Sequence, residues 1–188
     1  MIRHALPADA NAIAEIYGAV VRSSPISFEV DPPSADEMAG RMAAVQAYAP
    51  WLVLEREGAV AGYAYASRHR DRAAYQWSVD VSVYVHAAHR RGGVGRALYT
   101  SLLSLARLQG FYVAHAGITL PNDGSVALHE SLGFRPVGVF RAVGYKLGAW
   151  HDVGWWRLAL RPPSSEPAPP RAIGEASRDP SWAAALVD

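Results

Sequence analysis

Val83-Tyr-Val-His-Ala-Ala-His-Arg-Arg-Gly-Gly-Val-Gly-Arg96 runs from valine-rich extended sequence through a glycine-rich turn into a helical pattern. Backbone N–H groups at such a helix start lack intrahelical partners and, with the helix dipole, form an anion site. Gly92, Gly93 and Gly95 let a phosphate approach the backbone, and Arg90, Arg91 and Arg96 add positive charge. A nucleotide P-loop would end in Gly-Lys-Ser/Thr, and no lysine is present here. A dinucleotide fingerprint would need a third glycine where Leu98 stands, and would sit near the first strand of its unit. The bland alternative is a glycine-rich turn with solvated arginines.

Downstream, Val94, Leu98, Leu102 and Leu105 line one face of a helix that Gly110 ends. Upstream, residues 75–85 form a long strand rich in valine and aromatics. Asp80 lies in this otherwise apolar strand. Alternation puts it on one side with Ser78 and Ser82, opposite Val79, Val81 and Val83. Further out, residues 2–6 are a short strand. Asp9 caps a helix carrying Ile13, Ile16, Tyr17 and Val20, and the Ser34/Glu37 capping box opens a second one to about residue 48. Residues 51–56 and 59–67 pair as a hairpin, and 68–74 is polar and irregular. Residues 111–119 are a strand. Pro121-Asn122-Asp123 leads a helix that Gly133 stops, and 134–140 and 153–160 are the last strands.

The order β-α-α-β-β-β-α-β-α-β-β predicts an α/β fold: one central mixed sheet, mostly antiparallel, flanked by about four helices. Residues 1–161 form the domain. Residues 162–188 hold six of the thirteen prolines and read as an extended tail, with an apolar patch, Trp182-Ala-Ala-Ala-Leu186, that can dock on the domain or on a neighbour.

Composition narrows the chemistry. The 188 residues carry a net charge of +1, so no basic surface argues for nucleic acid. Cysteine is absent, which removes disulfides, thiolate metal sites and a cysteine nucleophile. No apolar run approaches the roughly 20 residues of a membrane helix. Met1-Ile2-Arg3-His4-Ala5 leads into polar sequence without a signal-peptide stretch, so the expected compartment is the cytoplasm. Lys146 is the single lysine among eighteen basic residues.

Five segments share one resemblance. Arg90-x-x-Gly93-x-Gly95 fits the Arg/Gln-x-x-Gly-x-Gly/Ala loop of the GNAT family of N-acetyltransferases. Leu120-Pro-Asn-Asp-Gly-Ser-Val-Ala-Leu-His-Glu-Ser-Leu-Gly-Phe134 resembles that family's second signature. This segment is more closely similar to the phosphinothricin and methionine sulfoximine acetyltransferases, as are residues 75–85, Leu98-Tyr-Thr-Ser-Leu-Leu103 and Gly144-Tyr-Lys-Leu-Gly-Ala-Trp-His-Asp-Val-Gly-Trp155. The resemblance spans about residues 2–161 and implies a GNAT fold, acetyl-CoA as co-substrate and a small amino-acid-like amine as acceptor. Backbone groups of Val83 and Val85, on either side of Tyr84, would pair with the pantetheine arm. Arg91 to Arg96, Val94 among them, would hold the pyrophosphate, with Arg90 opening the motif. Asn122 and Ser125 would contact acetyl-CoA from the next helix start.

Acetyl transfer to an amine needs the ammonium deprotonated, the oxyanion stabilised and the leaving sulfur protonated. Asp80 is the candidate base. The resembling proteins usually carry glutamate there, so an aspartate one methylene shorter would work directly or through water; a carboxylate merely paired with an arginine is the alternative. His129 falls where the resemblance places a group near the sulfur, or else packs in the core. Arg72 matches a carboxylate-binding arginine of the subgroup, and Phe28, Tyr75 and Lys146 complete the expected acceptor pocket. His86, His89 and His151 read as surface or turn residues, and no histidine pair has metal-ligand spacing, so no metal is expected. A protein or peptide N-terminal acetyltransferase and a non-catalytic acetyl-CoA-binding regulator are the competing functions. A homodimer is expected from the resemblance and from the aromatic segment 145–156.

Overall fold

The computed structural model describes residues 1–186. Its elements run β1 (Ile2–His4), α1 (Ala10–Ser23), α2 (Ala35–Gln46), β2 (Trp51–Arg56), β3 (Ala59–Arg68), β4 (Ser78–Val85), α3 (Val94–Gln109), β5 (Val113–Leu120), α4 (Asp123–Ser131), β6 (Arg135–Lys146) and β7 (Ala149–Ala159), followed by the short helices α5 (Ile173–Ala176) and α6 (Pro180–Ala184). The strands make one seven-stranded sheet in the order β1-β2-β3-β4-β5-β7-β6, antiparallel except between β4 and β5. The expected mixed, mostly antiparallel sheet is present.

Each face of the sheet has its own core. On one, α3 buries Val94, Leu98, Leu102 and Leu105 against Val79, Val81, Ala114 and Ala116. At about 1.5–3 kcal/mol per buried large aliphatic side chain, this face holds α3 far more strongly than helix propensity does. On the other, α1 and α2 cover an aromatic layer in which Trp51, Tyr63, Tyr65 and Tyr84 stack side by side. The Ser34/Glu37 capping box forms as expected, with Ser34 N donating to Glu37 at 2.7 Å.

Several expectations need correction. Asp9 gives α1 no side-chain cap. Its carboxylate instead accepts from Leu6 N at 2.7 Å and takes both guanidinium nitrogens of Arg3 at 2.7 and 2.8 Å, because a buried carboxylate gains more from a bidentate cation than from one amide. β4 starts at Ser78, not residue 75, since Ala73–Tyr75 winds into a single 3₁₀ turn. The last two strands are much longer than expected and form one hairpin. Leu147 and Gly148 both take positive φ (52° and 79°), a two-residue turn joining Lys146 to Ala149.

Of the expected tail 162–188, residues 187 and 188 lie outside the described residues, and the rest is not simply extended. Arg171 N donates to the Gln109 carbonyl at the end of α3, and Gln109 Nε2 donates back to the Arg171 carbonyl. Ala176 and Trp182 are buried. The Trp182 indole lies parallel to His4 of β1 and donates to its Nε2 at 3.1 Å, so the apolar patch docks on its own domain.

Candidate active site

β4 and β5 stay paired over three rows: Ser78 with Val113, Val79 with Ala114, and Asp80 with His115. Beyond them β4 keeps its pairing to β3 as far as Val85, and β5 keeps its pairing to β7 as far as Leu120. The two strands therefore part and leave a wedge in the sheet. His86 N donates to the Ala61 carbonyl of β3. Alternate residues share that direction in an antiparallel pair, so Tyr84 and Ser82 address β3 while Val83 and Val85 turn main-chain groups into the wedge. The Tyr84 ring packs away from it, on Tyr17 and Tyr63. Val81, Val83, Tyr99, Ile118, Asn122, Ser125 and His129 line the cavity, and Ile26 closes over it from the loop after α1.

At the open end of the wedge sits the glycine loop. Gly93 caps α3 with φ 81°, a conformation that suits glycine, and Arg91 also takes positive φ at 60°. The cap is followed by Val94, which is buried, and Ala97 N makes the first bond back to Gly93. The amides of the first turn are therefore free to bind an anion. Arg90, Arg91 and Gly92 are exposed. Arg56 at the end of β2, which the sequence did not single out, donates to the Gly92 carbonyl at 2.8 Å and adds a fourth cation beside the loop. Arg96 is turned sideways: it donates to Ser131 Oγ at 2.7 Å and ties α3 to α4, while Gly95 rests against Leu128.

Asn122 caps α4, its Oδ1 accepting from Ser125 N at 3.1 Å. One turn on, His129 is buried. Its Nδ1 lies 2.7 Å from the Ser125 carbonyl and its Nε2 3.1 Å from the Tyr99 hydroxyl. A carbonyl only accepts, so Nδ1 carries the proton and Nε2 offers a lone pair to Tyr99. Burial holds His129 below the usual imidazole range, partly offset by the Ser125 carbonyl, and burial pushes the Tyr99 hydroxyl up. Tyr99 is a site residue that sequence reasoning read past. On α3 it looks like any other core aromatic.

The apex of the wedge holds Asp80, and two histidines meet it there. His69, just past β3, puts Nδ1 at 2.7 Å from Asp80 Oδ1. His115, across from Asp80 on β5, stacks on the His69 ring at 4.3 Å and 20°. Tyr75 and Trp155 present edges to His69 at 5.8 and 6.2 Å. Burial raises the Asp80 carboxyl above its ordinary value, while the His69 bond pulls it down. Burial and the neighbouring His69 push His115 down to about 4. One ligand-type atom from each of His69, Asp80 and His115 lies within 4.8 Å of the others, a convergence that linear spacing concealed. Within this group, His69 Nδ1 and Asp80 Oδ1 are engaged with each other by their hydrogen bond.

The expected acceptor residues are only partly gathered. Tyr75 reaches the apex through His69, whereas Arg72 stays exposed on the rim. Phe28 packs on the β6–β7 hairpin beside His151, and Ile26 of the same loop, not Phe28, lines the wedge. Lys146 is buried and its Nζ donates to the Val21 and Ser27 carbonyls at 2.6 and 2.7 Å, which makes it a tether for that loop.

The sequence matches the acetyltransferase (GNAT) domain family over residues 2–155. It is 44% identical over 172 residues to a phosphinothricin N-acetyltransferase of Streptomyces viridochromogenes, covering 92% of each chain. It is 38% identical over 160 residues to an L-methionine sulfoximine/L-methionine sulfone acetyltransferase of Salmonella typhimurium, covering 85% of this chain and 94% of that one. A phosphinothricin acetyltransferase from Sinorhizobium meliloti, solved in complex with AcCoA, superposes with a TM-score of 0.84 at 36% identity over 90% of this chain and 95% of the other.

Proposed function

Since this chain belongs to the acetyltransferase (GNAT) family, we propose that it transfers the acetyl group of acetyl-CoA to the amine of a small amino-acid-like acceptor of the phosphinothricin or methionine sulfoximine type, by direct attack in a ternary complex. The observation that carries this reading is the wedge between β4 and β5, with an anion-binding helix start at its mouth and a half-buried carboxylate at its apex. The residues present fit acetyl-CoA: Val83 and Val85 offer unpaired main-chain groups, Gly92, Gly93 and Gly95 with the first amides of α3 form an anion cradle, and Arg90, Arg91 and Arg56 surround it. When bound, acetyl-CoA supplies an activated acyl group on a thiol leaving group.

The chain's own residues supply the rest. Asp80 is the carboxylate through which the acceptor ammonium loses its proton. Tyr99, kept protonated by burial, donates its O–H to His129 Nε2 at rest and stands at the cavity wall, where turning that O–H from His129 would offer the proton to the departing sulfur. The tethered loop carrying Ile26 and Phe28 narrows the acceptor end, which favours an amino acid over a peptide. Arg72 on the rim receives the acceptor carboxylate, with Tyr75 beside it. Residues 1–161 form the catalytic domain, and 162–186 strap it. The exposed β6–β7 face, with Phe140, Tyr145 and Trp150 half or more exposed, serves a homodimer, and a monomer mass by light scattering at micromolar concentration would refute that. No helix among the described residues is long and apolar enough to cross a membrane; the proposed compartment is the cytoplasm, supported by a cysteine-free composition.

The test is thiol release from acetyl-CoA with phosphinothricin, methionine sulfoximine and a panel of amino acids. Release with amino acids and not with peptides is expected. Tight acetyl-CoA binding without release on any amine would convert the reading to a non-catalytic acetyl-CoA-binding regulator. Asp80→Asn keeps size and hydrogen bonding but cannot take a proton, so it should lower the rate about 10²–10⁴-fold with acetyl-CoA affinity unchanged.

A further inference from the structure

Asp80 is half-buried, short, and already engaged. Its Oδ1 accepts from His69 Nδ1 at 2.7 Å, and an ionised carboxylate can only accept, so the His69 proton sits on Nδ1. The opposite nitrogen, Nε2, then carries the free lone pair. It has no hydrogen-bond partner among the described residues. This is the arrangement by which a carboxylate fixes the tautomer of an imidazole and stabilises the imidazolium that forms when it takes a proton.

The surroundings hold the ring in one pose. His115 stacks on one face at 4.3 Å, and the edges of Tyr75 and Trp155 stand against it at 5.8 and 6.2 Å. Four separate segments thus converge on one imidazole: the 3₁₀ turn of Tyr75, the apex of β4, β5 and β7. Tyr75, which belongs to the proposed acceptor pocket, packs its edge on the same ring that Asp80 holds. His115 is half-buried, and its Nδ1 is sealed from water with no hydrogen-bond partner among the described residues.

We infer that His69, oriented by Asp80, is the group that takes the acceptor's proton, and that Asp80 acts through it. The inference rests on the acetyl-transfer reading and deepens it. The acceptor ammonium gives one proton to Nε2, and the freed electron pair on nitrogen forms the C–N bond. The C–S pair departs on sulfur, which ends protonated as the second nitrogen proton is lost, and the imidazolium returns its proton to solvent. The charged or titratable groups around His69 are Asp80 on β4, Arg70 beside it, Tyr75 in the 3₁₀ turn, His115 on β5 and Arg157 of β7, paired opposite His115.

His69→Phe keeps the ring and its stack but has no nitrogen; His69→Gln keeps a donor for Asp80 but cannot carry a proton. In the full-length protein, with phosphinothricin as probe and chemistry limiting, both should lower kcat about 10²–10⁴-fold with acetyl-CoA affinity by calorimetry unchanged. The deficit should shrink as pH rises and the acceptor arrives deprotonated. Asp80→Asn combined with His69→Gln should cost little more than either alone, because the two act as one unit. His69→Phe with a near-normal rate and pH profile, beside a disabled Asp80→Asn, would overturn the inference and leave Asp80 as the direct base. If the wild type releases no thiol, the fault lies in the reaction proposed. The pair is then judged by the His69 ring-proton resonance, which Asp80→Asn must move; a resonance indifferent to Asp80 rejects it.

Discussion

Lys146 reaches back across the fold to donate its ε-ammonium to the Ser27 carbonyl at 2.7 Å, and the same nitrogen holds Val21 at 2.6 Å. One cation on the β6–β7 hairpin thus fixes both ends of the segment that delivers Ile26 to the wedge. Burial lowers the Lys146 pKa, against the pull of Glu29, yet the two carbonyls give the ammonium fixed partners.

Lys146→Met should therefore act on the acceptor end. It strands two carbonyls, at about 1–3 kcal/mol of stability, and should raise the acceptor KM several-fold with little change in the KM for acetyl-CoA. Steady-state kinetics with both substrates varied checks this, and an unchanged acceptor KM would mean that the loop is held by other contacts.

Gly144 offers a second handle on the same loop. A Cβ there would stand 2.5 Å from the Phe28 ring, so Gly144→Ala must displace Phe28. The expected outcome is a raised acceptor KM and a melting temperature lowered by a few degrees, about 1–3 kcal/mol of overpacking. Phe28→Ala in the Gly144→Ala background should recover part of the melting loss. No recovery would mean that the strain lies in β6 itself.

For acetyl-CoA, the mouth of the wedge is the place to press. Arg91→Glu removes a cation next to the first amides of α3 and adds an anion there. Affinity by calorimetry should fall about tenfold to a hundredfold, and the loss should narrow at high salt. Equal affinity at low salt, with the fold intact by circular dichroism, would move the phosphates elsewhere.

Stability against acid should depend on Asp9. The Arg3 hydrogen bonds hold its carboxyl below the ordinary value, with the Leu6 amide helping against burial. A depressed folded pKa contributes stability above the unfolded value, near 3.9, that is lost as pH falls through the folded one. Asp9→Asn should cost about 1–3 kcal/mol at pH 7, since the pair is largely shielded, and the gap from wild type should close as pH falls through the depressed folded value. A gap that persists unchanged at low pH in denaturant melts would show that packing, not charge, is what Asp9 provides.

Local signals told most of the fold and half of the site. The glycine loop, the alternation around Asp80 and the Ser34/Glu37 box are short-range patterns, and each reads directly as turn, strand or cap. The His69–Asp80–His115 cluster depends on the register of β3, β4 and β5, a property of pairing between distant segments that no window of sequence contains. The long hairpin escaped because Leu147-Gly148 lacks the Asn-Gly signature of such turns and because a bulge near Ala142, with φ 46°, interrupts the alternation of β6. Asp9 pointed to a cap because Arg3, its real partner, stands before the helix and across a turn. Lys146 is expected in the acceptor pocket beside Phe28 and Tyr75 on the subgroup resemblance, and only the fold reveals the two carbonyls that hold it.

The three paired rows joining β4 to β5 make a fulcrum. On one side stand β1 to β4, on the other β5, β7 and β6, and along the remaining strand length nothing in the sheet ties the two. If these halves rock, each residue moves in proportion to its distance from the pivot, at about 3.3 Å of lever arm per residue. Val85 and the glycine loop, five rows or more from Asp80, sweep the widest arc and can admit or release a long ligand. Asp80 and His115 sit on the last joined row and scarcely travel. Such rocking would put the ligand's way in at the end of the lever and the proposed proton chemistry at the pivot, where opening disturbs alignment least.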